Sequence, residues 1–179
     1  MSEMNTVVAF FDSHDKAEKT IRQLQKDGFD MKKLSIIGRD YHTEEHAIGY
    51  YNSGDRMLYW GKQGAFWGGV WGLLFGAAFF WVPGVGPLLI AGPLITCIVA
   101  ALESAVVVGG MSVLGGALAS IGIPENSIIQ FESEVKNGKY LLTLQGTPEE
   151  MNRAKTLLSS SGALKTHSYQ AKLPTAVLV

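Results

Sequence analysis

Three sets of residues in this 179-residue chain have types and spacings that could do chemistry. His42-Thr43-Glu44-Glu45-His46 sets two imidazoles and a carboxylate in the H-x-x-E-H order of some zinc peptidases. On one helical turn both rings could hold a metal, with Glu45 as general base toward a bound water. The pattern fixes only three of its five positions and brings no third ligand. Its readings therefore run from a peptidase, through a plain metal pair at His42 and His46, to a polar linker packed through Tyr50, Tyr51, Tyr59 and Trp60. Glu103 is the only charge between Gly64 and Pro124. An ionisable group inside a membrane segment marks an ion or proton path, or it reaches back to an interface along its aliphatic stem. Fifteen residues past Leu88 it would lie about 22 Å along a helix, near the edge of a bilayer core.

The third set is glycine. Gly64, Gly68, Gly72 and Gly76 recur at every fourth residue, which lines one helix face with consecutive GxxxG motifs. Ala105, Gly109, Ser112, Gly116 and Ser120 give a comparable face further on. Such faces let backbones approach closely, within one subunit or between subunits, and the spacing leaves both open. The glycines do not form a phosphate loop, because Gly84-Val85-Gly86 is followed by neither a helix start nor a lysine. No catalytic residue and no cofactor is expected, and the chain is not expected to be an enzyme.

The elements that must position these residues follow from how charge is distributed. Net charge is -1, so no basic field favours nucleic acid. Charged residues make up 17%, against roughly 25% in an average soluble domain, and nearly all lie in residues 1–62 and 125–172. Two polar ends thus flank a very apolar middle. Cys97, the single cysteine, falls in that middle and reads as a small buried hydrophobe. The first residues, MSEMNTVVAFFDSHD, lack a basic segment followed by an apolar one, so no cleavable signal peptide is expected.

The polar ends repeat one plan. Thr6-Val7-Val8-Ala9-Phe10-Phe11 reads as a strand, Asp12 and Ser13 offer helix caps, and Ala17, Thr20, Ile21 and Leu24 follow at helical spacing. Gly28 supplies a stop, and Leu34 to Gly38 a second strand. Downstream, Tyr140 to Gln145 is a strand and Thr147-Pro148-Glu149-Glu150 is a helix start with cap, proline and capping-box glutamate. Met151, Ala154, Leu157 and Leu158 form its apolar stripe, Gly162 ends it, and Leu164 to Tyr169 is a strand. Neither β-α-β half can bury its sheet face alone. Together they predict a ferredoxin-like α+β domain, a four-stranded antiparallel sheet with two helices on one face. A short amphipathic helix over 124–137 leads back into it.

Gly64 to Val82 is 19 uncharged residues, about the length of one membrane span, and Pro83-Gly84-Val85-Gly86-Pro87 is a turn. A second apolar run of about 36 residues follows, which as one helix would measure ~54 Å and must bend, at Pro93 or at Gly109-Gly110. Tyr59, Trp60 and Trp81 suit an interfacial belt, and Arg56 and Lys62 place the hairpin's ends on the cytoplasmic side.

In wording, VVAFFDSHDKAEKTIRQLQKDGFDMKKLSIIGRD resembles the bacterial general stress protein (heat-induced stress protein) domain. The stretch from Asp40 to Leu89 resembles the hydrophobic extension of bacterial relatives, and the likeness continues through GIPENSIIQFESEVKNGKYLLTLQGTPEE. The resemblance implies a bacterial protein of the stress-response type and brings no catalytic residues.

The expectations are these. Residues 1–40 and 124–171 form a discontinuous ferredoxin-like domain, 41–63 a polar and aromatic linker, 64–123 a hydrophobic α-helical hairpin of membrane type, and 172–179 an apolar tail. The protein is a non-enzymatic, stress-related membrane protein that self-assembles through Gly64, Gly68, Gly72, Gly76, Gly109 and Gly116. Its partners are the lipid bilayer and further copies of itself, with neither nucleic acid nor a small-molecule substrate. It sits in the bacterial inner membrane with its polar domain and both termini cytoplasmic. The alternatives are a channel with Glu103 in the conducting path, and a soluble shell-like oligomer with the hairpins buried between subunits.

Overall fold

A computed structural model describes residues 5–39, 77–82, 85–103 and 112–170, and these form six strands and five helices. The N-terminal half of the polar domain comprises β1 (Asn5–Phe11), α1 (His14–Lys26) and β2 (Leu34–Arg39). Ser13 caps α1 by accepting from the Lys16 amide, and Ala17, Thr20, Ile21 and Leu24 are its buried stripe. The C-terminal half comprises β5 (Tyr140–Gly146), α5 (Pro148–Ser160) and β6 (Lys165–Gln170). Thr147 and Glu150 close the expected capping box on α5, whose Met151, Ala154 and Leu158 are buried. Gly28 and Gly162 terminate the two helices at φ +80° and +86°.

Strand order is β3-β4-β2-β5-β1-β6, and every pairing is antiparallel. Within it, β2-β5-β1-β6 is the four-stranded sheet expected from two interleaved β-α-β units. Both α1 and α5 lie on one face, over Val7, Ala9, Phe11, Leu34, Ile36, Leu142 and Leu144.

The remaining strands correct the expected α-helical hairpin. Ala77–Val82 (β3) and Gly86–Ala91 (β4) are strands, paired through Phe80 with Leu88 and Val82 with Gly86, and β4 adds to β2. An uncharged apolar run carries no period that separates a buried strand from a helix. Here aromatic and β-branched content, a Pro-Gly dipeptide between the two runs and the open edge of β2 favour strand. The second apolar run is likewise not one bent helix. Its first residues finish β4, and Pro93 precedes α2 (Leu94–Glu103) as a helix start instead of kinking a longer helix. α3 (Val113–Ser120) and α4 (Glu125–Lys136) follow, the latter where an amphipathic helix was expected. None of the helices among the described residues is long and apolar enough to cross a membrane.

These helices cover the sheet's second face, which the expected plan left bare. Leu94 and Ile98 of α2, Leu114, Ala117 and Leu118 of α3, and Ile128, Phe131 and Val135 of α4 pack with Val8, Phe10, Ile37, Leu88, Ile90 and Leu141. The described chain is thus three-layered, helix–sheet–helix. That explains the burial of all five residues from Val7 to Phe11, a continuous apolar run typical of a strand covered on both faces. Each fully buried Leu, Ile or Phe contributes about 1.5–3 kcal/mol.

Gly92 makes the corner between β4 and α2. It sits at φ +95°, and a Cβ there would run into the Leu34 carbonyl oxygen and lie 2.8 Å from Ser35 Cα. Gly92→Ala is therefore expected to cost about 3 kcal/mol or more, from left-handed strain plus a backbone clash. A urea unfolding curve measures it, and an unchanged midpoint contradicts it.

Candidate functional site

Of the residues singled out by spacing, His42, His46, Gly64, Gly68, Gly72, Gly76 and Gly109 lie outside the described residues. Glu103 is the last residue of α2. Gly116 is on α3, and a Cβ added to it would meet Ala101 Cβ of α2 at 3.8 Å, an ordinary contact. At this point the small-residue face packs helix to helix within one chain, with room for a methyl group. The tight approach is one residue earlier, where a Cβ on Gly115 would fall 2.9 Å from Glu132 Oε1 and 3.1 Å from Ile128 Cγ2 of α4.

Polar groups at the joints between layers are matched to one another. Ser112 caps α3: its Oγ accepts from the Gly115 amide at 3.0 Å and donates to Glu132 Oε1. The Leu94 amide at the start of α2 donates to Ser35 Oγ at 3.0 Å, and Thr6 Oγ1 donates to the Ile121 carbonyl at 2.8 Å. Each bond ties a helix end to a strand or to a neighbouring helix. Buried without partners, such groups would cost about 1–3 kcal/mol each.

Two carboxylates collect cations. Glu134 on α4 accepts from Lys139 and from Lys165 Nζ at 3.4 Å, which joins α4 to β6. The Lys139 ammonium, then Lys165, holds its carboxyl below the usual 4.5. Glu150 accepts from the Thr147 amide at 2.9 Å and from Lys33 Nζ at 3.2 Å. The Thr147 amide first and Lys33 second hold it below the same value.

At the β6 edge, Phe10 and Phe131 meet edge to face at 4.9 Å. The His167 ring lies 5.4 Å from Phe131 and stacks on Tyr169 at 6.3 Å. Its Nε2 is buried and has no hydrogen-bond partner among the described residues. A shallow groove of about 280 Å³ runs between α1 and α5, lined by Lys19, Thr20, Gln23, Leu157, Ser160 and Ser161. The Thr20, Ser160 and Ser161 hydroxyls each donate to a carbonyl of their own helix region, so the groove offers a ligand little directed polarity.

The described residues thus carry salt bridges and caps where a catalytic constellation would need a base facing a nucleophile. No group of three or more His, Cys, Asp or Glu among them could hold a metal ion. Large apolar side chains also stay exposed among them. Val99 and Leu102, one turn apart on the outer side of α2, are 37% and 39% exposed, and Trp81 on β3 is 62% exposed. Sequence spacing missed this surface, because an all-apolar helix does not reveal which side lacks a neighbour.

Residues 6–79 match the family model of the heat induced stress protein YflT domain. The match agrees with the resemblance to bacterial general stress proteins. It runs from β1 into β3, a shorter stretch than the resemblance in wording suggests. No curated protein and no solved structure matches the chain.

A carboxyl held low in the folded state stabilises above its unfolded pKa and loses that contribution as pH falls through the folded one. With Glu134 and Glu150 both depressed from 4.5, the melting temperature should stay level from about pH 7 to 5 and decline below about 4.5. Glu134→Gln should lower the neutral-pH value and flatten the acid decline. Parallel thermal melts of wild type and variant between pH 7 and 3 test this, and superimposable acid slopes contradict it.

Proposed function

We propose that this chain, matching a heat-induced stress protein domain over residues 6–79, is a non-enzymatic stress-related structural protein. On this reading its apolar middle faces protein, and copies of the chain associate through the outer side of α2. One observation carries the reading: Val82, Leu88, Ile90, Leu94, Ile98, Leu114 and Leu118, all from the apolar middle, are buried against the sheet. Residues engaged in this way are not available to lipid. With β3 beginning at Ala77, the uncharged stretch before it shortens to the thirteen residues Gly64 to Gly76. As a helix these would reach about 20 Å, short of a ~30 Å hydrocarbon core. Val99 and Leu102 then supply an exposed apolar strip on a helix without charge from Leu94 to Leu102. Such strips mark contact surfaces, and a two-fold contact between identical helices is the commonest closed arrangement.

A second reading keeps the membrane as partner. It is favoured by Trp81, an indole 62% exposed on an edge strand, a residue type enriched at membrane interfaces. On that reading the α+β domain attaches to the cytoplasmic face of the bacterial inner membrane.

The two part on a fractionation. Under the assembly reading, untagged protein leaves the membrane pellet at alkaline pH and elutes as an oligomer. The double variant Val99→Lys, Leu102→Lys should shift to monomer with its melting temperature within about 3 °C of wild type, since both positions are already partly solvated. Retention in the alkaline-washed pellet, or an unchanged elution volume of the variant, overturns it.

A further inference from the structure

Among the described strands β6 pairs with β1 alone, and Lys165 to Gln170 contain no Val, Leu, Ile, Met or Phe. The strand that β1 buries from Thr6 to Phe11 is thus flanked by one that has little apolar surface to hold it. Register sets Lys165 beside Phe10, His167 beside Val8 and Tyr169 beside Thr6. Cross-strand neighbours share a face, and Val8 and Phe10 belong to the core under α4. Lys165, His167 and Tyr169 are therefore the side chains that β6 turns toward α4, while α5 contacts β6 from the opposite face.

Each of the three is anchored to α4. Lys165 Nζ lies 3.4 Å from Glu134 Oε1. The His167 and Tyr169 rings meet Phe131 at 5.4 and 6.1 Å, and His167 also sets an edge toward Phe10 at 6.5 Å. Of these contacts, His167 is the one with a polar atom left over, because its Nε2 is buried with no hydrogen-bond partner among the described residues. As a lone-pair nitrogen in a neutral ring, that atom packs much as an aromatic edge does. With a proton it becomes a buried donor and part of a cation, and burying either without an acceptor is unfavourable.

The charged and titratable groups around it do not supply one. On β6 itself these are Lys165, a cation, and Tyr169, stacked at 6.3 Å. On α4, Glu134 is engaged with Lys139 and Lys165, Glu132 with Ser112, and Glu125 and Lys136 are exposed. The β1 neighbours Thr6, Val8 and Phe10 carry no titratable group, nor does α3. Attraction of an imidazolium to the Phe131 and Tyr169 rings is the weaker effect, and Lys165 opposes it.

We propose that His167 is a proton-sensitive contact, which holds β6 against α4 while its ring is neutral and loosens the strand when the ring is charged. Histidine is the side chain whose charge changes between about pH 5 and 8. The contribution is present at the upper end of that range and is lost as pH falls through it. Glu134, held below 4.5 by Lys139 and Lys165, keeps its charge throughout, so the two acid responses of this seam separate. The consequence is local, since β6 is the last strand in the sheet order. Loosening it frees one edge of β1, a strand apolar on both faces.

Amide hydrogen exchange of the full-length protein, read by mass spectrometry near pH 7.5 and near pH 5.5 and corrected for intrinsic exchange rates, tests the proposal. Protection of the β6 amides should fall by about fivefold or more at the lower pH, the size expected for one buried group left without a partner. The β5 amides, Tyr140–Gly146, should keep theirs. His167→Phe keeps an aromatic ring at the position and should remove the pH difference. His167→Gln should remove it too, with lower protection at both values, which separates the proton from the shape of the ring. Equal protection of wild-type β6 at both values overturns the proposal. A parallel fall of β6 and β5 does so as well, since it reports the whole domain, and so does a Phe variant that keeps the wild-type fall, since it assigns the response to another group. A monomer and an oligomer give the same comparison of β6 with β5, so failure of the assembly reading leaves this one intact.

Discussion

The structure turns on one constraint, that the central strands are apolar on both sides. From Val7 to Phe11 on β1 and from Leu141 to Leu144 on β5 there is no face that water could wet without loss. Covering one side with α1 and α5 leaves Val8, Phe10, Ile37 and Leu141 exposed. At about 25 cal/mol per Å² of apolar surface, a bare second face would be incompatible with a net stability of only 5–15 kcal/mol. The apolar middle answers that deficit. It returns to the sheet as a hairpin and two helices, joined there by α4, and its residues form most of the second core.

The joints follow from the same need. A segment brought back onto a sheet must turn sharply where strand becomes helix, and its backbone groups need partners there. Gly92 makes the turn with a backbone that a side chain would obstruct, and Ser35 receives the first amide of α2. Thr6 reaches across to the end of α3, and Ser112 with Glu132 locks the start of α3 to α4. On the α1 side the corresponding lock is Glu150, which closes its own helix cap and also holds Lys33. Among the described residues these polar groups are committed to the joints between layers.

The polar ends were legible because local chemistry marks their boundaries. Ser13, Thr147, Glu150, Gly28 and Gly162 each act at one position for one physical reason, and the structure places them accordingly. The apolar middle was not legible, because removing charge from a segment also removes the periodicity that separates strand from helix. Phe79-Phe80-Trp81-Val82 held a β signal in its aromatic and branched residues, yet hydropathy alone made it the end of a membrane span. Gly92-Pro93 held a corner signal that read as a kink. Of the candidate site residues, only Gly116 came with a described environment, and it packs on Ala101 of its own chain.

The pairing of β1 has a consequence for how the chain is made. Its partners are β5 on one side and β6 on the other, and its first residue, Asn5, faces Gly146 and Gln170. A ribosome adding about 5–20 residues per second needs roughly 7–28 s after Asn5 to deliver Gly146, and it makes the whole apolar middle in that interval. Throughout, β1 is an uncovered hydrophobic strand without a neighbour on either edge, the kind of segment that chaperones hold and proteases sample. The fold thus leaves β1 without both of its native neighbours until the C-terminal strands have been made, however much of the intervening chain has already emerged.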